Sequence, residues 1–412
     1  MGETLNPVHR LFENAPPDAS HNRLPERMIS ADSHVTEPPH TYTKYIDPKF
    51  RDRAPKITPD SKGGDGFGIE GMPVVSMGGV AGAGIDPRTI SHAGRKFEEL
   101  HRGGWDGKAR LADQDRDGIG AEVIYPSVGM VLCNHEDGDY KQACMWAYNR
   151  WLAEEFCAAA PDRLIGLGQT AVRSVAEAIE DLEKFKEMGF RGVMLPGFPA
   201  TEFDYDDPQF DALWRAAVEL EMPVSFHILT SKSDGLRNVA SPGEMTKTQT
   251  PWRGGLYNAT HQVLKSLQDI IGMFVWGQVF ERTPDLKMIC VEADAGWLAH
   301  YSYRMDHFYD RHRYWMKLGD MGQRPSETLK RNVFLTFQDD ITAFKAVGQI
   351  DAHNLLWAND FPHSDSTWPW SVQLLKAQTM ELSEEAKDLI LRDNTARLYG
   401  LDVKALPEVA AA

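Results

Sequence analysis

From about residue 106 onward, short apolar runs rich in β-branched residues alternate with longer amphipathic stretches, a pattern that predicts strands and helices in turn. The strand runs are Met28–His34, Glu122–Ser127, Leu164–Thr170, Gly192–Pro196, Pro223–Ile228, Lys287–Ala293, Val333–Phe337 and Leu355–Asp360. Between them, Lys141–Ala159, Val175–Met188, Pro208–Glu221, Asn258–Arg282 and Gly296–Trp315 carry helical periodicity and are long enough for the crossovers of a parallel sheet. Eight such strands predict an α/β fold, a (β/α)8 TIM barrel over residues 28–401, distorted by a long insertion after the first strand. The insertion, residues 35–105, is Pro-rich and then Gly-rich. It is expected to form a lid over the barrel mouth, with a small hairpin around Gly71–Val80. Residues 1–27, rich in Pro, Asn and charge, read as an N-terminal arm; Ser383–Tyr399 reads as a last helix and residues 402–412 as a tail.

Polar residues interrupt this pattern where chemistry sits in a parallel barrel, at the C-terminal ends of strands. The run MISADSH ends with Asp32 and His34 at i and i+2, a spacing that puts both side chains on one face of a strand. PVSFHI delivers His227, KMICVEAD delivers Glu292, and LLWANDFPH delivers Asp360 with His363 three positions on. Four coincidences of this kind point to a shared metal ion. Each residue also has a plainer role: Asp32 and Asp360 could cap turns, His227 could be a satisfied core imidazole, and Glu292 could act as a base or pair with Arg304. Glu37 could reach a second ion or cap the Pro-rich segment. His261 could point into the mouth, and His363 could shuttle a proton or hold Asp360 in place.

Composition narrows the partners. The chain of 412 residues is 42% hydrophobic, enough for a large core, and its 60 acidic against 44 basic residues give a formal charge of −16. That balance, with no Lys/Arg run, argues against nucleic acid. Cys133, Cys144, Cys157 and Cys290 have no zinc-ribbon spacing and read as reduced core thiols, as in the cytoplasm. Neither a signal-peptide core nor a membrane-spanning run is visible, so no membrane partner and a cytoplasmic location are expected. The aromatic and basic stretch HYSYRMDHFYDRHRYW reads as a dimer or lid surface, and a homodimer or higher oligomer is expected.

Beyond the strand ends, the segments YNRWLAEEFC, PDRLIGLGQT, GFRGVMLPG, FERTPDLKMICVEADAGW and NDFPHSDSTWP together resemble the amidohydrolase superfamily, in the branch related to aminocarboxymuconate semialdehyde decarboxylase. The resemblance runs from Met28 to Leu401 and implies a divalent ion at the C-terminal mouth, with Asp32, His34, His227 and Asp360 at matching positions. Many members carry His-x-His or Glu-x-His on the first strand and a His after the sixth, where this chain has Asp-x-His and Glu292. The added carboxylate hardens the site, favouring manganese or iron over zinc and easing a second metal ion.

The reading put first is metal-assisted hydrolysis of a small organic molecule. A divalent ion lowers the pKa of water from about 15.7 toward ~7; Asp360 takes the water proton and His363 or His261 assists the leaving group. One alternative is non-oxidative decarboxylation of an aromatic or muconate-type acid. Another is a dinuclear iron or manganese oxygenase using Asp32, His34, Glu37, His227, Glu292 and Asp360. A barrel surviving as a non-enzymatic scaffold would hold no metal.

Overall fold

The computed structural model describes residues 19–231 and 263–408. Twelve strands lie among them: β1 (Met28–His34), β2 (Lys56–Pro59), β3 (Asp65–Gly68), β4 (Val75–Ser76), β5 (Ile119–Tyr125), β6 (Leu164–Gly166), β7 (Gly168–Gln169), β8 (Val193–Leu195), β9 (Val224–His227), β10 (Met288–Val291), β11 (Val333–Phe337) and β12 (Leu355–Trp357). Nine of them build the barrel. One parallel run is β1-β5-β6 and the other is β12-β11-β10-β9-β8-β7, with β6 and β7 forming a single stave interrupted at Leu167. The ring closes between β1 and the turn after β12, where Asp360 N donates to Asp32 O at 3.1 Å and His34 N donates to Phe361 O at 2.7 Å. The fold is therefore the expected TIM barrel, and each of the eight strand runs overlaps a stave, with several ending earlier than the apolar pattern suggests and β5 starting three residues before its run.

Side chains sort to two sides of this ring. Ala31, Val123, Tyr125, Ile165, Met194, Ile289, Val291 and Leu356 fill its interior. Their strand neighbours Ile124, Val193, Phe226, Cys290 and Trp357 point outward and pack with the helices. This is the alternation a strand buried on both faces requires. An aromatic cluster lies behind β9, where Phe226, Tyr205, Trp214 and Phe274 pack edge to face or tilted at 5.2–5.6 Å between ring centres.

In β1 the alternation is broken on purpose. Ser30 pairs with Glu122 and Ser33 with Ile124, so β1 spends one residue more than β5 over the same span. Such a bulge inverts which face the following residues take. Ala31 thus stays in the interior core while Asp32 and His34, one and three residues later, also turn to the barrel axis.

The insertion departs from expectation. In place of a hairpin at Gly71–Val80, β2 and β3 form an antiparallel pair (Lys56↔Gly68 to Pro59↔Asp65), with β4 as a third strand. The turn between β2 and β3 is built by Asp60, whose carboxylate accepts from the N–H groups of Lys62, Gly64 and Gly94. Farther along, residues 79–83 meet the segment after β12: Ser364 N donates to Gly79 O and Ala83 N to Pro362 O.

Of the expected helix Asn258–Arg282, the described part is Val263–Trp276 and Val279–Arg282. The aromatic-basic stretch forms the helix Leu298–His312, with Tyr303, Phe308, Tyr314 and Trp315 exposed. Arg304 lies over the Phe308 ring at 4.7 Å, its contact there being aromatic. The four cysteines are buried and unbridged. Among the described residues, no helix is long and apolar enough to cross a membrane.

Candidate metal centre

Strand ends from opposite sides of the ring bring Asp32, His34, His227 and Glu292 together, each offering a ligand atom within 4.8 Å of the others; His34, Glu292, Asp360 and His363 form a second, overlapping group. Around His34 Nε2 stand Asp32 Oδ1 at 3.4 Å, Asp360 Oδ1 at 3.5 Å, Glu292 Oε2 at 3.9 Å and His227 Nε2 at 3.2 Å. Asp32, His34, His227 and Asp360 are fully buried.

Hydrogen bonding on the far side of each imidazole fixes its tautomer. His34 Nδ1 lies 2.9 Å from Pro126 O and His227 Nδ1 lies 3.1 Å from Ile228 O. A carbonyl only accepts, so both Nδ1 atoms carry the proton and both Nε2 atoms turn a lone pair to the centre. Burial, with His363 nearby, pushes His34 down to about 3, so this ring stays neutral. Two lone pairs 3.2 Å apart among carboxylates repel one another unless a cation lies between them. Both oxygens of Asp32 and Oε2 of Glu292 are likewise buried without a hydrogen-bond donor. This donor set of imidazole and carboxylate fits a divalent cation.

Asp360 and Glu292 both have backbone conformations in the left-handed region, with φ of 53° and 60°. Non-glycine residues pay for that geometry, and it recurs where a side chain must be aimed. Burial raises both carboxyls well above the usual range; repulsion from Asp32 adds to it for both, and Asp360 adds further for Glu292.

His363 stacks on His34, ring centres 3.8 Å apart. Its Nε2 lies 2.9 Å from Ser127 Oγ, and that hydroxyl donates its one proton to Val35 O at 2.7 Å. Ser127 must therefore accept from His363 Nε2–H. The other nitrogen, Nδ1, is 3.1 Å from Asp360 Oδ1, a close approach and not a formed hydrogen bond, since both Asp360 oxygens are buried without a hydrogen-bond partner. Burial pushes His363 down to about 3, which keeps its ring neutral.

Two expected residues stand apart. Glu37 is fully buried, but its carboxylate accepts from Val128 N at 3.0 Å and Gly129 N at 3.1 Å, and this engagement with backbone donors removes it from the ligand group. Burial raises its carboxyl to about 7 against those two hydrogen bonds. His261 lies outside the described residues. Missed by the sequence reading were Ser127, the carbonyls of Pro126 and Ile228, and Arg110; a lone serine after a strand and a mid-helix arginine carry no motif.

The amidohydrolase family matches residues 99–401, and the chain belongs to that family. Solved structures agree on the fold. An amidohydrolase from Mycobacterium avium subsp. paratuberculosis K-10 is 21% identical with a TM-score of 0.71, over 92% of this chain and 100% of that one. A 5-carboxyvanillate decarboxylase from Sphingomonas paucimobilis is 18% identical with a TM-score of 0.61, over 92% and 100%. A dihydroxybenzoic acid decarboxylase from Polaromonas sp. JS666, solved with manganese and the inhibitor 2-nitroresorcinol, is 17% identical with a TM-score of 0.58, over 92% and 98%.

Proposed function

We propose that this chain is a divalent-metal-dependent, non-oxidative decarboxylase of a small aromatic or muconate-type acid, in place of the hydrolase that the sequence pattern put first. The observation that carries the reading is the Asp360–His363 contact of 3.1 Å set directly against the ligand group. Decarboxylation needs a proton delivered to carbon, and Asp360, whose carboxyl burial raises well above the usual range, is the group placed to hold one. Two of the similar structures are decarboxylases of aromatic acids, one with manganese bound, which supports the same choice.

Asp32, His34, His227 and Glu292 would hold the ion, with Asp360 beside it. When bound, the ion supplies positive charge that orients an anionic substrate and draws electron density from its ring. Asp360 gives its proton to the carbon bearing the carboxylate, the bond to that carboxylate then breaks with its electron pair returning to the ring, and carbon dioxide leaves. One proton is consumed per carbon dioxide released. His363, held by Ser127, sets the position of the Asp360 carboxyl from its Nδ1 side.

The test is carbon dioxide release by manganese-loaded protein from a panel of hydroxybenzoates and muconate-type acids. In deuterium oxide the product should carry deuterium at the vacated carbon. Asp360→Asn should lower the rate by about 10²–10⁴-fold while keeping manganese bound. Hydrolysis of esters, lactones or amides without carbon dioxide release from any acid would overturn the proposal, as would consumption of dioxygen coupled to turnover.

A further inference from the structure

We infer that Arg110, outside the ligand group, is a positioning residue for the metal centre, holding in place the two backbone turns that carry His34 and Asp360. The inference rests on the metal-dependent reading above. Arg110 lies on the helix Gly107–Asp117, on the outer side of the ring, and is fully buried. Its guanidinium donates from Nη1 to His34 O at 2.9 Å and to Gly103 O at 3.0 Å, and from Nη2 to Phe361 O at 3.1 Å. One planar fork thus grips the carbonyl of a candidate ligand on β1, the carbonyl next to Asp360 after β12, and the end of the insertion. Phe361 O also accepts from His34 N, so the same oxygen joins the seam and the fork. The Phe361 ring lies 4.6 Å from the guanidinium carbon and fixes its plane.

A buried cation needs a counterion, and Glu122 on β5 provides it at 2.5 Å from Arg110 Nε. The Glu122 carboxylate also accepts from Gln114 Nε2 at 2.9 Å and from Asn359 Nδ2 at 3.1 Å. Asn359 precedes Asp360 in the chain, and its backbone N–H donates to Ser30 Oγ on β1. Apart from the links to Gly103 O and Gln114, the network therefore joins β1, β5 and the turn after β12, around the seam where Asp32, His34 and Asp360 sit. Stability alone does not call for such a network, because a well-packed apolar pair fills the same volume at comparable or lower cost. What the apolar pair lacks is a grip on three carbonyls at once, and lysine, with a single point of charge, lacks the planar fork.

Three variants test this: Arg110→Lys, Arg110→Gln, and the double change Arg110→Met with Glu122→Leu, which leaves no buried charge. Each is compared with wild type for binding of manganese alone to the metal-free protein, for the electron paramagnetic resonance spectrum of the bound ion, and for thermal unfolding. Manganese binding by wild type is read first, and its absence would sink the metal-dependent reading itself. Given that binding, folded variants should bind manganese about 10–100-fold more weakly, with a broadened spectrum. A folded double variant that binds manganese with wild-type affinity and spectrum overturns the inference. Failure of all three to fold would also overturn it, by assigning the network to stability.

Discussion

His34 and His227 each donate from Nδ1 to a backbone carbonyl, and this single feature commits both Nε2 atoms to the centre. Removing one imidazole should therefore act on metal binding. His227→Ala is expected to lower bound manganese below half an equivalent by elemental analysis while the circular dichroism spectrum is unchanged; full occupancy would exclude His227 as a ligand. Ser127 works at one remove, since it receives His363 Nε2–H and passes its own proton to Val35 O. Ser127→Ala leaves that N–H without its acceptor. On the proposed mechanism, decarboxylation should then slow by about 10–100-fold at unchanged manganese affinity, because only the orientation of His363 beside Asp360 is relaxed. Unchanged turnover would remove Ser127 from the account.

At the scale of strands and turns, what the sequence revealed and what it concealed separate cleanly. Asp32, His34, His227, Glu292 and Asp360 were legible because apolar runs end at them, and a run's end is a local property of the chain. The bulge in β1 was not legible. A plain i, i+2 count puts Asp32 and His34 on the same face as one another, but only the extra residue decides that this face looks inward. The surroundings of Glu37 were not legible because its two backbone donors come from Val128 and Gly129, some ninety positions away. The stave formed by β6 and β7 reads as one continuous run, yet it breaks at Leu167. Beyond the break, a Cβ on Gly168 would lie 2.3 Å from the Phe185 ring. Gly168→Val should destabilise the protein by about 1–3 kcal/mol through that clash, seen as a lowered melting temperature. Phe226, outward-facing beside His227, packs against Tyr205 and Phe274; its replacement by alanine should cost about 3–5 kcal/mol. A melting temperature unmoved by either change would contradict the packing described.

Across the whole molecule, buried carboxyls set the dependence of stability on pH. Burial pushes Glu37 up to about 7 from 4.5, and Asp117, beneath the seam, up to about 7 from 3.8. Between those limits the folded chain keeps protons that the unfolded chain has released, so the folded state binds more protons and its stability falls as pH rises toward 7. Each group contributes up to about 1.4 kcal/mol per pH unit in that window. His34 and His363, held down to about 3 from 6.5, oppose this trend below 6.5, so thermal unfolding of metal-free protein should show the decline between pH 6.5 and 8, and Glu37→Gln or Asp117→Asn should flatten it; an undiminished slope in both would point to other groups. The seam itself has a consequence for how the protein is made. Candidate ligands span Asp32 to Asp360, and the ring closes through one backbone bond between those two residues and another between His34 and Phe361. On a ribosome the first strand emerges more than three hundred residues before β12, its partner across the seam, so no nascent chain short of the last stave can capture an ion in the finished geometry.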